Sequence, residues 1–418
     1  MEKTHILILL IISAVTVSNA AEFFFKDGDK VVMMGDSITQ QYLYSSYVER
    51  WALTRFPDRN ITFLNIGIGG DTANGYNVRF KRDVLPNTPT VMTVDYGMND
   101  GHYRAFDEEG FRHYKSALQA IANQAKAANI RIAWLTTNPV EPKEDGPALQ
   151  GYNLTLEKYA EGVKQIAATN GDALFVDQFH PFLSIIDKAR TANPKNRIGK
   201  EPVHPTPEGH AVMAWSILKG MSFPPIVASA EIDAASGNVG KTINCKIDGL
   251  NVDPTGKVAF IQLDSALPFF PQEAKGILKW APLLEELNDY HLKVIGLKDG
   301  QYEVRLDGKK VAGYTNVELR KGVNLAAAVL EEGPIADQVN AVTKAVKEKN
   351  DYYHGIFHGV IIARAEIPDF LGIKIDIEEK RASVLKERMP KLQEYFKAIR
   401  TTLVLKPHQV EIVPVIKP

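Results

Sequence analysis

The sequence predicts an α/β fold: a parallel sheet covered on both faces by helices, then a small antiparallel β-region, then C-terminal helices. Three observations carry that reading. Between Lys30 and about Phe223, five short runs that are apolar throughout alternate with stretches of helical periodicity. Strands buried on both faces and separated by helices belong to parallel sheets. After Phe223-Pro224-Pro225 the apolar period shortens to two, and beyond Gly322 it lengthens to that of a helix again.

The first twenty residues stand apart from this pattern. Lys3 precedes an apolar run from Ile6 to Val17 that is too short to span a bilayer as a helix. Small residues Ser18 and Ala20 occupy the positions required for cleavage after Ala20, which is the pattern of a secretory signal peptide, although Glu2 offsets the charge of Lys3. The expectation is an exported protein, periplasmic or extracellular, with no integral membrane segment once mature.

Residues 21–225 form the predicted α/β domain. Lys30–Met34, Ile61–Ile66, Thr90–Tyr96, Ile130–Thr136 and Ala173–Asp177 read as its strands. Tyr114, Ala117, Leu118, Ile121 and Ala125 mark one helix between them, and Leu156, Tyr159, Val163 and Ile166 mark another. From 226 to 320, Ile243/Cys245/Ile247, Val258/Phe260 and Tyr302/Val304/Leu306 alternate, with turns at Lys298-Asp299-Gly300 and Asp307-Gly308. Over 321–418, Ile335, Val339, Val342 and Val346 form one helical stripe. Leu385, Met389, Leu392, Phe396 and Ile399 form a second, with a kink expected at Pro390, and both stripes need a partner surface.

Composition narrows the function. Among 418 residues, Lys+Arg 49 against Asp+Glu 50 removes any strong electrostatic drive toward nucleic acid or anionic membrane. A single cysteine, Cys245, excludes an intrachain disulfide framework and a Cys-rich metal site. His354 and His358 have a spacing that can ligate a metal on a helix. No glutamate lies between them, Gly355 and Gly359 weaken the helix, and no third ligand is evident. No metal or organic cofactor is expected.

Ligands of such sheets bind beyond the carboxyl ends of the strands, so the residues there decide the chemistry. Strand one runs into Gly35-Asp36-Ser37, which places a serine at the start of a helix; it is either a nucleophile or a helix cap. Strand two runs into Gly67-Ile68-Gly69-Gly70-Asp71, a loop whose backbone can approach a ligand closely or simply turn. Strand three runs into Gly97-Met98-Asn99-Asp100, where Asn99 offers an uncharged donor of the kind an oxyanion needs. Late in the domain comes Glu201-Pro202-Val203-His204-Pro205, followed by Gly209-His210. A carboxylate three residues before a histidine can orient its ring. Tyr42, Tyr44 and Tyr47, with His102, Tyr103 and Arg104, either line a polar-aromatic cleft or pack against the β-region.

Each block alone is weak, but together they lie in order at one end of one sheet. In that combination the chain resembles the SGNH hydrolases, the GDSL esterases and lipases, over roughly residues 25–222. The resemblance implies a flavodoxin-like three-layer sandwich with five parallel strands. It implies Ser37 as nucleophile and His204 as general base, with an oxyanion hole of the Ser37 and Gly70 N–H groups and the Asn99 side chain. The family usually has aspartate three residues before the histidine, and Glu201 stands there in this chain. The function expected is a serine esterase that removes small acyl groups, acetyl above all, from carbohydrate. Alternatives are a lysophospholipase or lipase, or a glycan-binding protein with weak or no esterase activity. The expected partner is therefore a small ester or an acylated glycan.

Overall fold

A computed structural model describes residues 22–141, 149–171, 173–199, 201–364 and 376–415. The segment expected to be a signal peptide lies outside them. The five apolar runs form the strands β1 (Lys30–Gly35), β2 (Thr62–Asn65), β3 (Val91–Asp95), β4 (Arg131–Leu135) and β5 (Leu174–Val176). They pair in parallel in the order β2-β1-β3-β4-β5, the flavodoxin-like winding. Helices α1 (Ser37–Gln40), α2 (Leu43–Arg55), α3 (Ala73–Asp83), α4 (Glu108–Ala127), α5 (Tyr152–Thr169), α6 (Phe179–Ala192) and α7 (Pro207–Gly220) follow or connect them. Tyr114, Leu118 and Ile121 of α4 are buried with Val163 of α5 under one face of the sheet. Trp51 of α2 and Ile217 of α7 are buried under the other. Both layers exclude water from the sheet, which is why its strands lack polar alternation.

The β-rich half departs from expectation in three ways. The run Ile243/Cys245/Ile247 is not one strand. β6 (Ile226–Asp233) and β7 (Asn238–Ile243) belong to one sheet, β8 (Cys245–Val252) begins another, and Asn244 between them turns at φ +54. Asparagine tolerates the left-handed region better than most residues, so the alternation runs straight across a sheet switch. Nor is the region wholly antiparallel, because β10 (Asp289–Ile295) runs parallel to β6. Finally, β9 (Val258–Asp264), β11 (Gln301–Leu306) and β12 (Lys309–Thr315) do not complete their sheet alone. A strand from the part expected to be helical, His408–Pro414, lies between β9 and β11. With the short β13 (Val323–Asn324), that strand is β14.

The connections here carry α8 (Leu283–Leu287), α9 (Asn316–Lys321) and α10 (Ala326–Val329), then the long α11 (Pro334–Ile356) and α12 (Ile377–Thr402). The stripe Ile335, Val339, Val342, Val346 is buried; of the second stripe, Leu392 and Ile399 are buried and the rest half-buried. The halves share one core. Phe269 meets Trp51 edge-on at 5.1 Å, and the Leu267 N–H donates to the Thr54 carbonyl at 2.9 Å. Among the described residues no helix is long and apolar enough to cross a membrane.

Candidate active site

The turn out of β1 is tight because only glycine fits at 35. A Cβ there would lie 2.8 Å from the Asp95 carbonyl oxygen and closer still to the Thr39 hydroxyl. Asp36 caps α1 by accepting from the Ile38 N–H at 2.9 Å. Asp36 is therefore the cap, and Ser37 beside it is free for another partner. Its Oγ lies 2.8 Å from His204 Nε2, across 167 residues of chain.

His204 stands on a loop whose shape is set by a residue the sequence did not single out. Glu141 Oε2 accepts from the N–H groups of Ile198 (2.9 Å) and Gly199 (2.7 Å), and the Glu141 N–H donates to the Pro202 carbonyl at 2.8 Å. Arg190 neutralises the same carboxylate at 3.2 Å. A lone glutamate after Pro139-Val140 carries no local signal, because its partners lie 49 or more residues away. Glu201 lies on the Nδ1 side of the ring, with Oε2 4.0 Å from His204 Nδ1 and its side chain 66% exposed. That is an ion-pair distance and too long for a hydrogen bond.

The second wall comes from the loop after β2. Gly70 adopts φ +73, a conformation that L side chains rarely hold, although a Cβ there would meet nothing within 4 Å. Glycine is needed at this point for the backbone angle and not for space. The loop is tied to the helices after β1 by Asn65, whose Nδ2 donates to the Thr39 carbonyl and the Ser45 hydroxyl, both at 2.7 Å. Gln40 Oε1 accepts from the Gly69 N–H at 2.5 Å. Asp71 is clamped by Arg79 and by the Tyr96 hydroxyl at 2.9 Å, and its carbonyl accepts from Asn99 Nδ2 at 3.0 Å. The Asn99 nitrogen also lies 3.3 Å from Asp36 Oδ2. Ser37, the Gly70 loop, Asn99 and His204 thus converge beyond the carboxyl end of the sheet.

Beneath them lie buried carboxyls. Burial pushes Asp36 and Asp100 each up to about 7, and Asp95, which accepts from Gln178 at 2.9 Å, well above its ordinary value. A floor biased toward neutrality opposes less strongly any negative charge that forms above it. His210 is not a second base. Burial holds it down to about 3, its Nδ1 accepts from the Tyr44 N–H at 3.3 Å, and Nε2 meets Gln41 Oε1 at 2.7 Å.

Other candidates divide. Tyr44 and Tyr47 are core residues, the latter donating its hydroxyl to Glu273 at 2.9 Å, whereas Tyr103 is 40% exposed beside Asn99. Arg104 pairs with Asp107 at the surface. The rings of His354 and His358 stack at 4.3 Å, and His354 meets Tyr42 edge-on at 5.5 Å. Among the described residues no three His, Cys, Asp or Glu side chains are grouped to hold a metal.

Residues 33–212 match the model of the GDSL-like lipase/acylhydrolase family. An acetylxylan esterase of Geobacillus stearothermophilus is 26% identical over 218 residues, 47% of this chain and 95% of that protein. An uncharacterized lipoprotein of Bacillus subtilis (strain 168), YqeF, is 31% identical over 102 residues, 23% of this chain and 40% of that one. A solved structure described as a gut microbial diltiazem-metabolizing enzyme superposes with a TM-score of 0.81 at 25% identity, covering 94% of this chain and 98% of that one. The likeness to that structure therefore extends through the β-rich half and the C-terminal helices. The parallel-sheet half is thus a GDSL-like lipase/acylhydrolase domain of the SGNH fold, which makes the protein a serine hydrolase acting on ester bonds.

Proposed function

We propose that the protein is an exported esterase that removes small acyl groups, acetyl above all, from carbohydrate. Ser37 is the nucleophile in this reading, His204 the general base, and Glu201 the carboxylate behind it. The oxyanion hole consists of the Ser37 and Gly70 N–H groups with the Asn99 amide. The observation that carries the reading is the 2.8 Å contact between Ser37 Oγ and His204 Nε2.

In the first step His204 Nε2 takes the serine proton as Oγ attacks the ester carbonyl, and the oxygen that becomes negative is held by the three N–H donors. The imidazolium then protonates the sugar oxygen as its bond to the acyl carbon breaks, and the sugar leaves as the alcohol. In the second step His204 takes a proton from water, hydroxide adds to the acyl-enzyme, and Ser37 leaves with the proton restored. The 4.0 Å separation of Glu201 from Nδ1 suits an apo site, in which such contacts are often longer than in the reacting complex.

The small-acyl preference draws support from the acetylxylan esterase relative. It draws further support from the polar and aromatic side chains near Ser37: Gln40, Asn99, Tyr103 and Glu201. The pattern in residues 1–20 supports export. Ser37→Ala should lower turnover of a p-nitrophenyl acetate ester by at least ~10³-fold while leaving the circular dichroism spectrum unchanged. Wild-type enzyme should deacetylate xylo-oligosaccharides and prefer acetyl over dodecanoyl esters. Equal turnover of the two chain lengths would favour a lipase, and activity in purified Ser37→Ala would remove Ser37 from the role.

A further inference from the structure

An asparagine donates to an oxyanion only if its nitrogen faces the reacting carbon. The amide is nearly symmetric in shape, so something must hold the oxygen away. Here the oxygen is held: the Tyr103 hydroxyl donates to Asn99 Oδ1 at 2.6 Å. The nitrogen is thereby turned to the Asp71 carbonyl at 3.0 Å and Asp36 Oδ2 at 3.3 Å. The first contact fixes one N–H against the Gly70 loop. The second is longer, and it leaves the other N–H available to a stronger acceptor.

Tyr103 reaches that place through an unusual backbone. His102 and Tyr103 adopt φ +53 and +57, two successive side-chain-bearing residues in the left-handed region. Such residues are strained and persist only where their surroundings enforce them. The enforcement comes from α5. A Cβ on Gly101 would lie 2.3 Å from the Tyr152 hydroxyl, so the turn is packed down on that ring. The Tyr152 hydroxyl donates to the Met98 carbonyl (2.6 Å), Thr155 to the Arg104 carbonyl (3.0 Å) and Tyr159 to the Asp100 carbonyl (3.2 Å). The Tyr103 ring rests on Tyr152 at 5.5 Å. Three side chains of one helix thus hold a strained turn, and its tip bears the hydroxyl on Asn99.

We propose that Tyr103 is a positioning residue for the oxyanion donor, its hydroxyl fixing the Asn99 amide with nitrogen toward the reacting ester. The inference rests on reading Asn99 as that donor. No bond to substrate is required of Tyr103. Its effect therefore belongs in kcat and depends on Asn99 being present.

The test is a double-mutant cycle on the full chain with p-nitrophenyl acetate: Tyr103→Phe, Asn99→Ala and the pair. Tyr103→Phe should lower kcat by about 10-fold, leave KM within about 2-fold, and leave the thermal midpoint unchanged. Asn99→Ala should lower kcat by about 10²–10³-fold. The double variant should match Asn99→Ala alone, because without the amide there is nothing to orient. Multiplying effects, or a Tyr103→Phe loss confined to KM, would overturn the inference while leaving the role of Asn99 intact. An Asn99→Ala variant with wild-type kcat would instead overturn the reading of Asn99 beneath it.

Discussion

Two ion pairs in this molecule use charge in opposite ways. Lys349 of α11 and Glu49 of α2 meet at 2.8 Å with side chains 0% and 3% exposed. Burial pulls the lysine's pKa down and pushes the glutamate's up, while their mutual attraction opposes both shifts. Lys349 Nζ also donates to the Phe63 carbonyl at 2.7 Å and to Asn350 Oδ1 at 2.8 Å, and Asn350 donates to Glu49 at 3.2 Å. The pair is closed, and it covers β2, the edge strand of the parallel sheet. Glu201 and His204 meet at 4.0 Å in reach of water. A sealed pair is strong only while complete and has one geometry. An open pair holds less tightly and leaves both side chains in reach of water.

Breaking the sealed pair should have the largest effect. Lys349→Ala leaves Glu49 buried without its counter-charge and should lower stability by about 3–5 kcal/mol in urea unfolding. Adding Glu49→Leu to Lys349→Met should recover most of that loss, since apolar side chains of similar volume carry no desolvation penalty. If Lys349→Ala proved near-neutral, the join between α2 and α11 would rest on its apolar contacts alone.

The open pair should respond in rate and not in stability. Glu201→Gln is expected to lower kcat by about 10²-fold, less than the ~10⁴ associated with a buried, hydrogen-bonded triad carboxylate. Glu201→Asp should fall between that variant and wild type, and neither should move the thermal midpoint. A Gln variant with full kcat would reduce the machinery to Ser37 and His204.

The smallest effect is one of pH. Asp100 accepts from the Ala73 N–H at 3.0 Å through Oδ1, its Oδ2 is buried without a partner, and burial raises it from 3.8 to about 7. Between those values the folded protein keeps a proton that the unfolded chain has released, so this group's contribution to stability falls as pH rises through that window. Asp100→Asn keeps the Oδ1 acceptor and cannot ionise. Its thermal midpoint relative to wild type should therefore rise from pH 5 to about pH 7 and level off above it. A constant difference across that range would show that Asp100 does not titrate there.

The parallel sheet and the residues around Ser37 were legible because their signals are local. An apolar run announces a strand buried on both faces, and Gly35-Asp36-Ser37 or Glu201 to His204 are spacings within a single turn or loop. What escaped was non-local. Lys349 stands in Lys347-Glu348-Lys349-Asn350, which reads as a solvated helix face, and its partner is 300 residues away. Glu141 looks like any loop glutamate until Ile198 and Gly199 are folded onto it. Tyr44 and Tyr47 follow Ser37 closely in sequence, yet the rotation of α2 carries both into the core. Val410 and Ile412 do alternate, but so short a run after a long helix does not reveal which sheet it enters.

The position of β14 has a consequence for the time course of folding. Val410 pairs with Phe260 on one side and with Leu306 on the other. Neither neighbour is close in sequence, so much chain entropy must be lost before either ladder forms, and topologies of this kind fold slowly. Until β14 arrives, β9 and β11 each present an open row of N–H and C=O groups, a template on which another unfinished molecule can pair. The β-rich half should therefore be the late and aggregation-exposed phase of folding. Its yield on refolding should fall steeply with protein concentration, while the parallel sheet, whose strand pairs are closer in sequence, forms ahead of it.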